Sequence, residues 1–167
     1  PVNNNKAWKA KIFIASQIKG IGLVDSYQED NVDISYVYDN ALAAMACMAY
    51  KDFGLAREIL DTLYKDVKMA PEGVPYWRYL YENTSGYGEG TVYCGNTAWL
   101  LQALNIYQKL AKSKRYYSYQ KKLANFLLTL QTSDGGLTGN RYVSWKSAEN
   151  NLAAYAAIIP VGFFPLR

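Results

Sequence analysis

The 167-residue sequence contains no histidine and only two cysteines, Cys47 and Cys94. Without histidine, this chain alone cannot build a Ser-His-Asp triad, a Cys-His pair or a His-liganded zinc. Two cysteines are too few for a disulfide framework or a four-cysteine metal site. The chemistry that remains rests on carboxylates, tyrosine and lysine, and we expect no cofactor.

Long hydrophobic runs and a concentrated positive charge are also missing. No window reaches the ~18 consecutive apolar residues of a membrane span. The net charge is +4, but the densest basic run, 109–122, straddles a turn between two predicted helices and is typical of a solvated face. We therefore expect neither a membrane span nor a nucleic-acid partner.

The overall composition is that of a globular chain, with 50% apolar and 19% charged residues. Its length suits one domain with a sizeable core, so we treat 1–167 as a single domain. The sequence begins at Pro1 without methionine, which indicates a processed chain or a fragment. We expect an extracytoplasmic or secreted location, and a cytoplasmic one stays open.

Apolar residues recur with helical spacing along nearly the whole chain. The connections between the predicted helices alternate between tight turns and long loops, and long loops are often functional. The long loops cover 19–35, 68–93 and 132–146, and the helices are predicted at 5–18, 36–51, 54–67, 94–112, 115–131 and 147–158.

Three helix starts can be superimposed with a period of ~55 residues, which indicates an array of helical hairpins. They are Tyr38–Leu42, Cys94–Ala98 and Ala148–Leu152. This register places Asn40, Asn96 and Asn150 in one column, and Asp39 and Glu149 in the column before it. The predicted fold class is all-α, an αα-hairpin repeat. A unit this long with one long loop favours an (α/α) toroid, or part of one, over an open solenoid.

Three segments resemble elements of the six-hairpin (α/α)-barrel glycosidase-like superfamily. They are Ser35–Ala43, Gln131–Leu137 and Ser147–Leu152. The resemblance covers most of the chain as a repeat pattern, and its motifs do not distinguish a family within the superfamily. A six-hairpin barrel of this period needs ~330 residues, so the resemblance implies a partial barrel of about three hairpins. The expected partners are then the remainder of the barrel or further copies of the chain.

The long loops and the first turns of the inner helices hold most of the acids and many aromatic residues. Aromatic rings give a flat apolar face with a polar rim, which matches the C–H faces and hydroxyl edges of sugars. These residues predict a carbohydrate partner, although aromatics of long loops also fill the loops' own packing. The candidate binding residues are Tyr36, Tyr38, Asn40, Trp77, Tyr81, Trp145 and Asn150. For the asparagines, hydrogen bonds to the backbone of the adjacent loop are the favoured role, and recognition of sugar hydroxyls is the alternative.

Glycosidic cleavage needs two carboxylates and no histidine. Asp39 and Glu149 are the candidate catalytic pair because they begin two inner helices, where the helix dipole favours the ionised form. Capping of those helices is the alternative role for both acids. The predicted function is a carbohydrate-active, glycoside hydrolase-like protein. The alternative is a non-catalytic surface or assembly protein that binds a glycan or a partner.

Overall fold

The computed structural model describes residues 4–27, 34–80 and 88–161, and it is mainly helical. The described helices are α1 (Asn4–Ser16), α2 (Val37–Ala49), α3 (Phe53–Asp61), α4 (Cys94–Ala111), α5 (Tyr117–Leu128) and α6 (Ala148–Ile158). A π-helical turn, Thr62–Asp66, continues α3, and a 3-10 turn, Ile159–Val161, follows α6. All six predicted helices are therefore present, with ends that differ by a few residues.

Short strands occur in the long loops, which the sequence predicts as irregular. The strands are β1 (Ile18–Lys19), β2 (Leu23–Val24), β3 (Ile34–Tyr36), β4 (Arg78–Leu80) and β5 (Gly88–Glu89). Antiparallel pairing joins β1 to β2 and places β4 between β3 and β5. Strands of two or three residues are too short to show a period-2 pattern, which explains why the sequence does not reveal them.

The helices form two layers, as the repeat predicts. Helix α4 lies between α2 and α6 and packs extensively against both, so these three are the inner helices. Helix α3 packs on α2, and α5 packs on α4, in an outer layer. Alanines at Ala41, Ala44, Ala98 and Ala154 are fully buried. Small side chains of this kind let the inner helices approach closely.

One tight turn joins α2 to α3, and another joins α4 to α5. Lys51 and Lys112 occupy these two turns with positive φ values of 60° and 50°. In the outer layer, the Asp61 carboxylate accepts hydrogen bonds from Arg115 and from the Tyr116 hydroxyl. Burial acts to raise the pKa of Asp61, but these hydrogen bonds hold it below its usual value.

The inner helices share a common start, but its register differs from the one the sequence predicts. Their N-cap residues are Tyr36, Tyr93 and Ser147, all in extended conformation. Four residues on, Asn40 and Asn151 each donate through Nδ2 to the N-cap carbonyl, and Thr97 donates to the same carbonyl through its hydroxyl.

The expected asparagine column is therefore wrong. Asn40 corresponds to Asn151, because both also accept a hydrogen bond from a loop N–H, Val24 and Leu137 respectively. The shift also separates the two acids: Asp39 corresponds to Asn150, whereas Glu149 lies one position earlier in the helix start.

No helix among the described residues is both long enough and apolar enough to cross a membrane.

Candidate functional site

An aromatic groove opens where the loops meet the starts of α2 and α4. It has a volume of about 340 Å³ and is lined by Tyr27, Tyr36, Tyr38, Asp39, Trp77 and Asn96. Four of the sequence-predicted site residues, Tyr36, Tyr38, Asp39 and Trp77, therefore share one groove. We refer to it as the aromatic groove.

Its rings contact one another edge to face, the arrangement that the aromatic quadrupole favours. Tyr36 lies at the centre, with its ring centroid 5.9 Å from Tyr27 and 5.1 Å from Trp77. Trp77 in turn lies 5.7 Å from Tyr93. Tyr27 remains 56% exposed, so the ring cluster presents apolar surface to solvent.

Both the carbonyl and the N–H of the Trp77 backbone make hydrogen bonds. Its carbonyl accepts hydrogen bonds from the Val37 N–H (3.0 Å) and from Asn96 Nδ2 (3.3 Å). Its N–H donates to the Thr91 carbonyl at 3.2 Å. Gly90 has a φ of +85°, and a Cβ built there would lie 2.1 Å from Trp77 Nε1. Glycine is required at this point both for its conformation and for the space that the indole occupies.

Asp39 is partly exposed and lies in the first turn of α2. Its carboxylate makes no hydrogen bond or ion pair with any residue that the structure describes. Asp39 is therefore a carboxylate at the groove edge without a partner in the described part of the chain.

Asn40 has the structural role expected of an asparagine in the helix start, and it does not contribute to the groove as a binding residue. It is fully buried. Its amide accepts from the Val24 N–H (2.8 Å) and donates to Ser35 Oγ (2.7 Å) and the Tyr36 carbonyl (2.8 Å). A side chain without exposed surface and with its polar atoms engaged holds the loop against α2 and cannot meet a substrate.

The remaining predicted site residues lie at α6 and not at the aromatic groove. Glu149 and Trp145 are exposed, and the Trp145 ring packs over Gly139. Asn150 lies against Gly95 of α4, where a Cβ would come within 2.5 Å of its Oδ1. Because α4 lies between α2 and α6, one copy of the chain does not bring Asp39 and Glu149 into one groove. Tyr81 lies outside the described residues.

Two acids of the long loops have basic partners, so the loops are less acidic than the sequence suggests. Lys146 is paired with Asp134, and Arg141 Nη1 with Glu72 Oε1 at 3.1 Å. Hydrogen bonds from Lys146, Thr132 and a backbone N–H hold the pKa of Asp134 well below its usual value. Within the described ranges, no group of three or more His, Cys, Asp or Glu residues could hold a metal ion.

Sequence reasoning missed two groove residues, Tyr27 and Asn96, as site candidates. Tyr27 belongs to the aromatic-rich loop, but it has no distinguishing motif of its own. Asn96 is a member of the predicted asparagine column, but it is not among the candidate binding residues. The N-cap register aligns it with Asp39 instead, and that alignment is the signal that places both in the same groove.

The fold is that of part of an (α/α)-barrel, as the superfamily resemblance implies. Scans of family models and of curated protein sequences find no match. Solved structures do match: endoglucanase Cel10, a family 8 glycosyl hydrolase from Klebsiella pneumoniae, has a TM-score of 0.61 at 19% identity. Endo-beta-1,4-glucanase CMCax from Acetobacter xylinum has a TM-score of 0.63 at 14% identity. Each match covers 75% of this chain and 39% of the other.

Proposed function

We propose that this chain is a carbohydrate-active, glycoside hydrolase-like protein whose aromatic groove binds a poly- or oligosaccharide. The observation that carries the proposal is the Asp39 carboxylate, which has no partner among the described residues, beside an exposed, edge-to-face aromatic cluster. Both matched solved structures are named as glycan-cleaving enzymes, so a β-1,4-linked glucan is the first substrate to test.

In this proposal, Trp77 and Tyr36 provide apolar ring surface for sugar C–H faces. The Tyr38 hydroxyl and the Asn96 amide lie along the same groove and supply hydrogen-bonding groups for sugar hydroxyls. Asp39, a carboxylate at the edge of this groove, is assigned the role of base or nucleophile. The general acid of such a reaction is a second carboxyl across the scissile bond, and Glu149 remains our candidate.

Binding of cellohexaose, measured by isothermal titration calorimetry, tests the groove. Trp77→Ala should weaken binding about tenfold, since one aromatic platform contributes roughly 0.5–1.5 kcal/mol. Tyr142→Ala is the matched control, because Tyr142 is a loop aromatic that is 81% exposed and lies outside the groove. Equal effects of the two substitutions, or no binding of any soluble glucan or xylan oligosaccharide, would refute the groove as a glycan site.

Release of reducing sugar tests the chemistry. Asp39→Asn and Glu149→Gln should each lower turnover by at least 100-fold, the usual size of a general acid–base contribution, while circular dichroism stays unchanged. If both variants keep full activity, the proposed carboxylate pair is wrong.

The second candidate is a non-catalytic module that binds a glycan or a partner. The position of α4 between α2 and α6 favours it, because Glu149 does not line the groove that contains Asp39. Cellohexaose binding that depends on Trp77, with no release of reducing sugar from the wild-type chain, would establish this function instead.

A further inference from the structure

Helix α6 exposes the face that the other inner helices bury. In the N-cap register, Leu152 corresponds to Ala41 and Ala98, which are both fully buried, yet Leu152 is 70% exposed. Tyr155 is 59% exposed at the position of Leu101, which is fully buried. Leu152 and Tyr155 line an apolar groove of about 520 Å³. This face of α6 therefore has the position and chemistry of an inner-helix contact with no inner helix on it among the described residues.

The opposite edge of the molecule, at α1 and α2, also lacks a neighbouring inner helix among the described residues. Leu42 and Ala46 of α2 line a second groove, of about 350 Å³, together with Phe13 of α1. Their counterparts in α6, Ala153 and Ala157, are buried against α4, whose Gln102 and Asn105 donate to their carbonyl oxygens. No inner helix among the described residues precedes α2, so none packs on the same face of α2.

The outer layer shows the same difference between the two edges. Helices α2 and α4 each carry an outer helix, α3 and α5, whereas no described outer helix follows α6. Helix α1 is an outer helix without a described inner helix before it, and it leaves Trp8, Ile12 and Phe13 about half exposed (49–53%). In the described part of the chain, each edge thus lacks the helices that the other edge offers.

We propose that a second copy of this chain covers these faces, with α6 of one copy against α1 and α2 of the other. A two-fold axis makes both junctions at once, and a head-to-tail contact closes when its rotation permits. Two copies supply six inner and six outer helices, the number in the (α/α)6 barrels to which the fold is similar. The exposed leucine, tyrosine, phenylalanine and tryptophan side chains then become the core of the junctions.

The second copy also completes the aromatic groove. Within the chain, Gly95, the second residue after one N-cap, lies against Asn150, the third residue after the next N-cap. Tyr38 and Asn96 occupy the same two positions at the preceding pair of helices, and both line the aromatic groove. At the new junction the same relation pairs Glu149 of one copy with Asp39 of the other. The two candidate catalytic acids meet only there. The association does not depend on the proposed function, but the role of this pair does.

Sedimentation equilibrium of the chain between 1 and 100 µM measures the association. We expect a mass of twice 18.8 kDa for the wild type, and monomers for Leu152→Glu and for Phe13→Glu. The control is Leu110→Glu, since Leu110 is 51% exposed on the central helix α4 and lies at neither edge. All three positions are exposed, so circular dichroism should show unchanged folding.

Mixing identifies which faces meet. Leu152→Glu retains an intact α1–α2 edge, and Phe13→Glu retains an intact α6 edge, so an equimolar mixture should form a dimer although each variant alone is monomeric. A monomeric wild type, open polymers, or a dimer that survives one substitution and not the other would each refute the proposed ring. The last result would indicate pairing of like edges.

An activity test separates this inference from the proposed function. Asp39→Asn and Glu149→Gln should each be inactive alone, whereas their mixture should recover about a quarter of wild-type activity, because half of the dimers hold one intact junction. Dimers without any hydrolysis would leave the ring standing and refute the catalytic role. Hydrolysis by monomers would refute completion of the site by the second copy.

Discussion

Replacing the buried amide of Asn40 should destabilise the protein much more than replacing Asn150, which the sequence places in the same column. Asn40 makes three hydrogen bonds of 2.7–2.8 Å. Asn40→Ala removes all three and leaves the N–H of the buried Val24 unpaired. Each bond contributes roughly 1 kcal/mol, so the three bonds together contribute about 3 kcal/mol. We expect a loss of about 3 kcal/mol in the free energy of unfolding.

Asn151 and Asn150 provide the matched comparison. Asn151 holds both the N–H and the carbonyl of Leu137 and also donates to the Ser147 carbonyl. It is partly exposed, so Asn151→Ala should cost about 2 kcal/mol because water replaces part of the network. The Asn150 side chain makes no hydrogen bond with any described residue, and Asn150→Ala should cost less than about 1 kcal/mol.

Urea unfolding followed by circular dichroism measures the three values. At about 2–4 °C per kcal/mol for a domain of this size, Asn40→Ala should also lower the melting temperature by roughly 6–12 °C. The register deduced from the N-caps fails if Asn150→Ala is as destabilising as Asn40→Ala, or if Asn151→Ala has no effect.

Three further predictions concern other parts of the fold. Gly90→Ala should displace Trp77 and change its fluorescence. Gly73 has a φ of +73° but open space around its Cβ, so Gly73→Ala should lower the free energy of unfolding through backbone strain alone and leave the fluorescence unchanged. Asp61→Asn should destabilise by about 1 kcal/mol at pH 7. Because the folded pKa of Asp61 is lowered from 3.8, this difference should vanish as the pH falls through that pKa, as urea titrations at several pH values would show. Burial raises the pKa of Cys94 to about 11, so a thiol reagent at pH 8 should label it only in urea.

The helix layers could be predicted from the sequence because each helix carries its own signal. Leu55, Ile59 and Leu60 repeat with helical spacing, and the buried faces of α3 and α5 follow such patterns. The three-stranded sheet could not be predicted. Its strands come from two distant loops, and β3 pairs with β4 across the whole α2–α3 hairpin. No local pattern in either loop specifies that pairing.

The candidate site was predictable by residue type but not by position. Tyr36, Tyr38, Asp39 and Trp77 were identified because acids and aromatics concentrate in the long loops, and they do share a groove. The predicted asparagine column is wrong because identical residues need not occupy equivalent positions. A single inserted residue between helix starts shifts every side chain by about 100° around the helix axis. The hydrogen bonds to the N-cap carbonyls and from the loop N–H groups reveal which residues are equivalent.

The corrected register has a consequence for where carboxylate chemistry can occur in this repeat. The junction between α2 and α4 pairs Tyr38 with Asn96, and the junction between α4 and α6 pairs Gly95 with Asn150, so neither holds two acids. In the proposed ring, contact between α6 of one copy and α2 of the other joins Glu149 to Asp39. Closure of the ring and acid–base catalysis are separate questions, because dimers without hydrolysis support the ring and refute the catalytic pair. The mixed-variant experiment distinguishes the two.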